Sequence, residues 1–175
     1  MDRIKIYSKE HPEFITVTCL DWKPLLEEDK HKDIIANSLD FLSNEGRAAI
    51  YAFVIMNNHF HLIWHIMGEH KRDEVQRDFL KFTGQQILKS LRSASSTLLQ
   101  EIIVNARDRK HQVWERNSLS IPLWSDRVFN EKLEYIHYNP VKAGLCQYPE
   151  DYKYSSARFY ELNENNWRLL THYNG

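Results

Sequence analysis

The hydrophobic pattern opens with Phe14-Ile15-Thr16-Val17-Thr18-Cys19-Leu20, a β-branched and partly alternating run that predicts a first strand. From Asp29 to Ser43, Ile34, Ile35, Leu39 and Leu42 recur at helical spacing between charges, and Asn44-Glu45-Gly46 supplies a stop signal. Ile50 to Met56 is continuously apolar, Asn57-Asn58 is a turn signal, and Phe60 to Met67 alternates, which predicts a β-hairpin. From Lys71 to Leu91, Val75, Phe79, Phe82, Ile87 and Leu91 return near helical spacing, and a second amphipathic segment runs from Thr97 to Val104. Ser120-Ile121-Pro122-Leu123-Trp124 fits a short edge strand, the place in a sheet where proline is tolerated. Ser125 or Asp126 then caps a helix through about Tyr138, with Pro140 marking its end, because the residue before a proline is pushed out of helical geometry. The order predicts an α+β fold, a ferredoxin-like antiparallel sheet with helices on one face and an added helix carrying Tyr135.

Composition narrows the function classes. A chain of 175 residues with 5 Gly, 5 Pro and no linker-like stretch reads as one domain. Its 23 Lys+Arg against 24 Asp+Glu give a net charge of −1, which excludes a polybasic protein that coats nucleic acid. The longest apolar run, Ala48 to Met56, falls far short of the ~18 residues of a membrane span, so no membrane partner is expected. Met1-Asp2-Arg3-Ile4-Lys5 lacks the apolar stretch of a secretory signal, and Cys19 and Cys146 read as free thiols, so the expected location is the cytoplasm. Charge is uneven along the chain. Residues 71–110 hold nine Lys/Arg against five Asp/Glu, a local +4. Within it, Lys71, Arg72, Lys81, Lys89, Arg92, Arg107, Arg109 and Lys110 are candidate contacts to a nucleic-acid backbone, or else an ordinary solvated face.

Two clusters carry chemistry. In Asn58-His59-Phe60-His61-Leu62-Ile63-Trp64-His65, strand alternation puts His59, His61, Ile63 and His65 on one face and Phe60, Leu62 and Trp64 on the other. Imidazoles at i and i+2 are close enough to lean toward one cation, and equally fit two half-buried histidines satisfied by neighbours. In the helix beginning near Ser125, Phe129, Leu133 and Ile136 form the buried stripe. Tyr135 and Asn139, four residues apart, project together about a quarter-turn away, while Tyr138 points elsewhere.

Taken together these residues resemble a known family. Ile55-Met56-Asn57-Asn58-His59-Phe60-His61-Leu62-Ile63 resembles the His-hydrophobic-His strand of the single-tyrosine HUH transposases, and Tyr135-Ile136-His137-Tyr138-Asn139-Pro140-Val141-Lys142-Ala143-Gly144-Leu145 resembles the tyrosine helix of their REP-associated branch. Phe14 to Thr18, Asp78 to Thr83, Trp114 and Asp151 to Ala157 extend the likeness, whereas Arg116 to Ser120 lacks the His-Pro of close relatives. The resemblance implies a single transposase domain over 1–175, with a catalytic core over 1–145 and a C-terminal extension over 146–175. It implies a site-specific endonuclease and strand transferase acting on single-stranded DNA near a hairpin or palindrome. Tyr135 would be the nucleophile, giving a covalent 5′-phosphotyrosine, and His59, His61 and Asn139 would hold Mg²⁺ or Mn²⁺. Action within one chain or across a homodimer is left open, and the alternative function is a non-catalytic hairpin-binding or regulatory descendant of a transposase.

Overall fold

A computed structural model describes residues 10–173, so the reading of Met1 to Lys5 lies outside the described residues. Four strands form one antiparallel sheet: β1 (Glu13–Thr18), β2 (Ala48–Ile55), β3 (His59–Ile66) and β4 (Leu119–Pro122), in the order β2-β3-β1-β4. β3 pairs with both β1 and β2, so each crossover, through α1 (Asp29–Asn44) and then α2 (Arg72–Ser93), skips one strand. This is the split β-α-β pattern of a ferredoxin-like fold. Proline at position 122 sits in β4, an edge strand paired only with β1.

Alternation along the strands builds two cores. On one face Ile15, Val17, Phe53, Phe60, Leu62 and Trp64 meet Ile35 and Leu39 of α1 and Val75, Phe79 and Ile87 of α2. On the other, Phe14, Ala52, Val54 and Ile63 meet Phe129 and Ile136 of α4 (Asp126–Lys142). The imidazole face is therefore covered by the added helix. Residues 146–173 are tied to β2: Ile55 N donates to Tyr154 O at 2.9 Å and Thr171 N to Ile50 O at 2.8 Å. They cover backbone that would otherwise be an open sheet edge.

Two expectations are corrected. The helix expected over 97–104 is a single turn, α3 (Leu98–Glu101). The β-branched run Ile102-Ile103-Val104 leaves the helix, and Val104 N and Gln112 N bond Lys110 O and Ile102 O instead. Nor does Pro140 end α4, which runs on to Lys142. A proline within a helix forfeits one hydrogen bond, but here its ring is buried, and the carbonyls of Asn139 and Pro140 accept from Ala143 N and Leu145 N at 3.1 and 2.9 Å. That extra turn keeps Asn139 in helical register with Tyr135.

A buried polar link holds α4 in place. Ser156 Oγ accepts from Phe53 N at 3.0 Å and donates to Phe53 O at 3.2 Å, leaving a lone pair for His137 Nε2–H at 2.9 Å. Burial pushes His137 down to about 4. With an unfolded value near 6.5, the unfolded chain binds the proton first, so this stabilisation is complete above about pH 6.5 and is lost as pH falls toward 4. It amounts to on the order of 3 kcal/mol. Denaturant unfolding at pH 7 and pH 4 should show that loss, and His137→Gln should reduce the difference; an unchanged difference would contradict it. Among the described residues no helix is long and apolar enough to cross a membrane, and Cys19 and Cys146 are free.

Candidate active site

Register on β1 and β3 sets the floor of the site. His61 lies opposite Thr16 and His59 opposite Thr18, one strand-width apart and on the same face. Thr16 Oγ1 is 2.8 Å from His61 Nδ1, and Asn58 Oδ1 is 2.7 Å from His59 Nδ1. A carboxamide oxygen only accepts, so His59 carries its proton on Nδ1; the Asn139 amide nitrogen 3.1 Å from His61 Nε2 can only donate, so His61 likewise carries its proton on Nδ1 and donates it to the threonine hydroxyl. Both Nε2 atoms then carry the lone pair, a tautomer able to ligate a metal.

The environment keeps these rings neutral. His61 is 3% exposed, and burial pushes it down to about 3, with repulsion from His59 and Lys132 adding to the effect. His59 is also lowered by burial, partly offset by hydrogen bonding with Asn139. The two rings are 4.9 Å apart, and Phe14 stacks on His61 at 5.4 Å.

Helix α4 supplies the roof. Ser125 caps it, its hydroxyl accepting from Val128 N at 3.3 Å, and Phe129 and Ile136 anchor it in the smaller core. Asn139 Nδ2 then lies 3.1 Å from His61 Nε2, so one carboxamide contacts both imidazoles. Rotation of that amide by half a turn presents Oδ1 in place of the NH₂ group. The Tyr135 ring stands 5.1 Å from His61, edge-on, and is 40% exposed. Histidine strand and tyrosine helix thus meet within one chain.

Two neutral imidazole nitrogens and an amide oxygen form a donor set that suits a divalent cation with open positions. Among the described residues no group of three or more His, Cys, Asp or Glu gathers to hold one, here or elsewhere. His65, on the same strand face, lies two residues beyond Ile63 and takes no part in this contact group.

Residues that the sequence reading did not single out complete the site. Lys132 Nζ lies 4.8 Å from the Phe14 ring centre and 5.4 Å from that of Tyr135, and Lys142 Nζ lies 5.8 Å from the Tyr135 ring centre. Helical spacing from Tyr135 was a signal for Lys132. Thr16 and Phe14 depend on strand register, for which the sequence offers none. The eight basic residues proposed for DNA do not converge here. Lys71, Arg72, Lys81, Lys89 and Arg92 lie on or beside α2, which packs on the opposite sheet face, and Arg107, Arg109 and Lys110 follow α3. Arg72 Nε is 2.9 Å from Glu13, a buried carboxylate, while Lys71 and Arg109 pair with Glu74 and Asp108 at 3.1 and 2.8 Å.

No protein-family model matches the chain, and no curated protein matches it in sequence. Among solved structures it is similar to a REP-associated tyrosine transposase bound to a REP hairpin, with a TM-score of 0.69 and 15% identity over 97% of this chain and 89% of that one. A candidate transposase from Deinococcus radiodurans R1 is similar over 78% of this chain and 94% of its own, at 11% identity and a TM-score of 0.48. The fold of this chain is therefore that of a REP-associated tyrosine transposase, the branch its sequence motifs resemble.

Proposed function

We propose that the protein is a transposase-type endonuclease and strand transferase acting on single-stranded DNA beside a hairpin. The observation that carries this reading is the approach of Tyr135 to within 5.1 Å of the His61 ring, with Asn139 of the same helix 3.1 Å from His61 Nε2. A hydrolytic site built on the histidines alone would have no use for a half-exposed phenol at that position.

Cleavage of a phosphodiester needs a nucleophile, compensation of charge on the phosphate and an in-line leaving oxygen. The Tyr135 oxygen forms the new bond to phosphorus, the bond from phosphorus to O3′ breaks, and the phenolic proton is replaced through solvent by one on O3′. The product is a 5′-phosphotyrosine and a free 3′-hydroxyl, and because the phosphoester is conserved the step can be reversed onto another strand. Lys132 and Lys142 place positive charge beside the ring, where it attracts phosphate. His59, His61 and Asn139 would hold Mg²⁺ or Mn²⁺, which supplies Lewis-acid stabilisation of the phosphate when bound. The structural likeness to a hairpin-bound protein supports hairpin DNA as the partner. One chain provides all four side chains, so this reading needs no second copy.

The direct test incubates the protein and Mn²⁺ with labelled hairpin oligonucleotides bearing single-stranded flanks, drawn from the DNA beside the gene. A denaturant-resistant protein–DNA adduct is expected, with the label on the strand 3′ of the cut. Hairpin binding without an adduct would favour the non-catalytic alternative.

A further inference from the structure

Trp22 is exposed, at 59%, yet its ring stands 5.5 Å from His59. An indole left in water beside a catalytic-type cluster calls for a use. Its backbone is held in an unusual shape: Asp21 and Trp22 have φ of 51° and 57°, the sparsely populated left-handed region, which is rare for a residue as bulky as tryptophan. The turn is fixed from several sides. Asp21 N donates to Glu115 Oε1 at 2.7 Å, Trp22 N to Cys19 O at 3.0 Å and Lys23 N to Leu20 O at 3.0 Å, and Lys23 Nζ pairs with Glu101 at 2.7 Å. Asn58 joins the turn to the imidazoles, since its Nδ2 donates to Trp22 O at 3.4 Å while its Oδ1 accepts from His59.

The rings lie in sequence: Trp22 against His59, His59 against His61, His61 against Tyr135. Trp22 and Tyr135 are thus at opposite ends of the imidazole pair. In an in-line displacement the leaving oxygen departs on the side of phosphorus opposite the nucleophile. With Tyr135 at one end, O3′ and the nucleotide that bears it emerge at the other, next to Trp22. Glu115 against the turn, Asp21 within it and the pairing of Lys23 with Glu101 disfavour a phosphate there and leave the flat indole face as the available contact.

We propose that Trp22 stacks on the base immediately 5′ of the cleaved bond. In this role it positions the scissile phosphate during attack and keeps the freed 3′-hydroxyl in place for rejoining. The assignment rests on the nuclease reading above. Attack by Tyr135 and departure of O3′ are balanced as already written; Trp22 forms no bond and moves no proton.

The test uses the hairpin oligonucleotide that the wild type cleaves, with 2-aminopurine placed either 5′ or 3′ of the cut. Binding to Tyr135→Phe protein, which leaves the strand intact, should quench the 5′ probe. Adding Trp22→Ala should abolish that quenching and leave the 3′ probe unaffected. In cleavage, Trp22→Ala should lower kcat/KM about tenfold to a hundredfold, with Trp22→Phe restoring most of it. An abasic site 5′ of the cut should erase the difference between wild type and Trp22→Ala, as expected of two partners in one contact. Cleavage by Trp22→Ala at the wild-type rate, or quenching that follows the 3′ probe, would overturn the assignment while leaving the nuclease reading intact. A wild type that forms no covalent product overturns both.

Discussion

Tyr135→Phe is expected to abolish covalent adduct formation and cleavage while leaving hairpin binding within about twofold of wild type. Loss of a nucleophile acts on a scale of roughly 10⁴-fold or more, since what remains is only binding and electrostatic stabilisation. The structure makes this substitution clean. The ring is half-exposed, it meets Phe14 edge-on at 5.9 Å, and its hydroxyl is not what secures α4. Phe129, Ile136 and the His137–Ser156 bond do that. Thermal stability should therefore stay near wild type, which separates loss of chemistry from loss of fold. Tyr138, 45% exposed on the same helix, is the internal control: Tyr138→Phe should cleave normally. Retained adduct in the Tyr135 variant, or its loss in the Tyr138 variant, would assign the nucleophile elsewhere.

The second large effect is expected from the imidazole pair. Replacing His59 and His61 together with Ala should remove metal-dependent cleavage, by at least about 10²-fold, and should also remove Mn²⁺ binding measured by titration calorimetry in the absence of DNA. The second readout matters because His61 is buried between Phe14 and Thr16, so its removal also leaves a cavity. Asn139→Ala should weaken Mn²⁺ binding less than the double substitution, since one of three donors is lost from the helix side. Because burial holds His61 neutral down to about pH 3, Mn²⁺ affinity should not collapse between pH 7 and pH 5.5 on account of that ring. A purified double variant that still cleaves would rule out the site.

Much of this was legible locally. The strands and helices follow from hydrophobic period, and the His59–His61 pair from strand alternation, because a period of two forces both rings to one side. Tyr135 and Asn139 share a helix face for the same kind of reason. The errors were also local. Pro140 read as a terminator because its cost was counted without the burial that offsets it, and Ile102 to Val104 read as helix because their backbone partners, Lys110 and Gln112, are close only in the folded chain. Apart from these two, the basic residues between 71 and 110 stand out by count as candidate DNA contacts, and the cations beside the tyrosine are Lys132 and Lys142.

What the sequence by itself determined is which side chains share a strand or helix face, since that depends only on the repeat of the backbone. What the tertiary structure decided is which faces meet. The β1–β3 register sets Thr16 against His61, the smaller core lays α4 over the imidazoles, and a strained turn brings Trp22 to His59. Each of these arises from pairing and packing between residues dozens of positions apart. The sequence therefore named Tyr135, His59, His61 and Asn139, whereas their neutral tautomers, their flanking lysines and the order of rings from Trp22 to Tyr135 exist only in three dimensions.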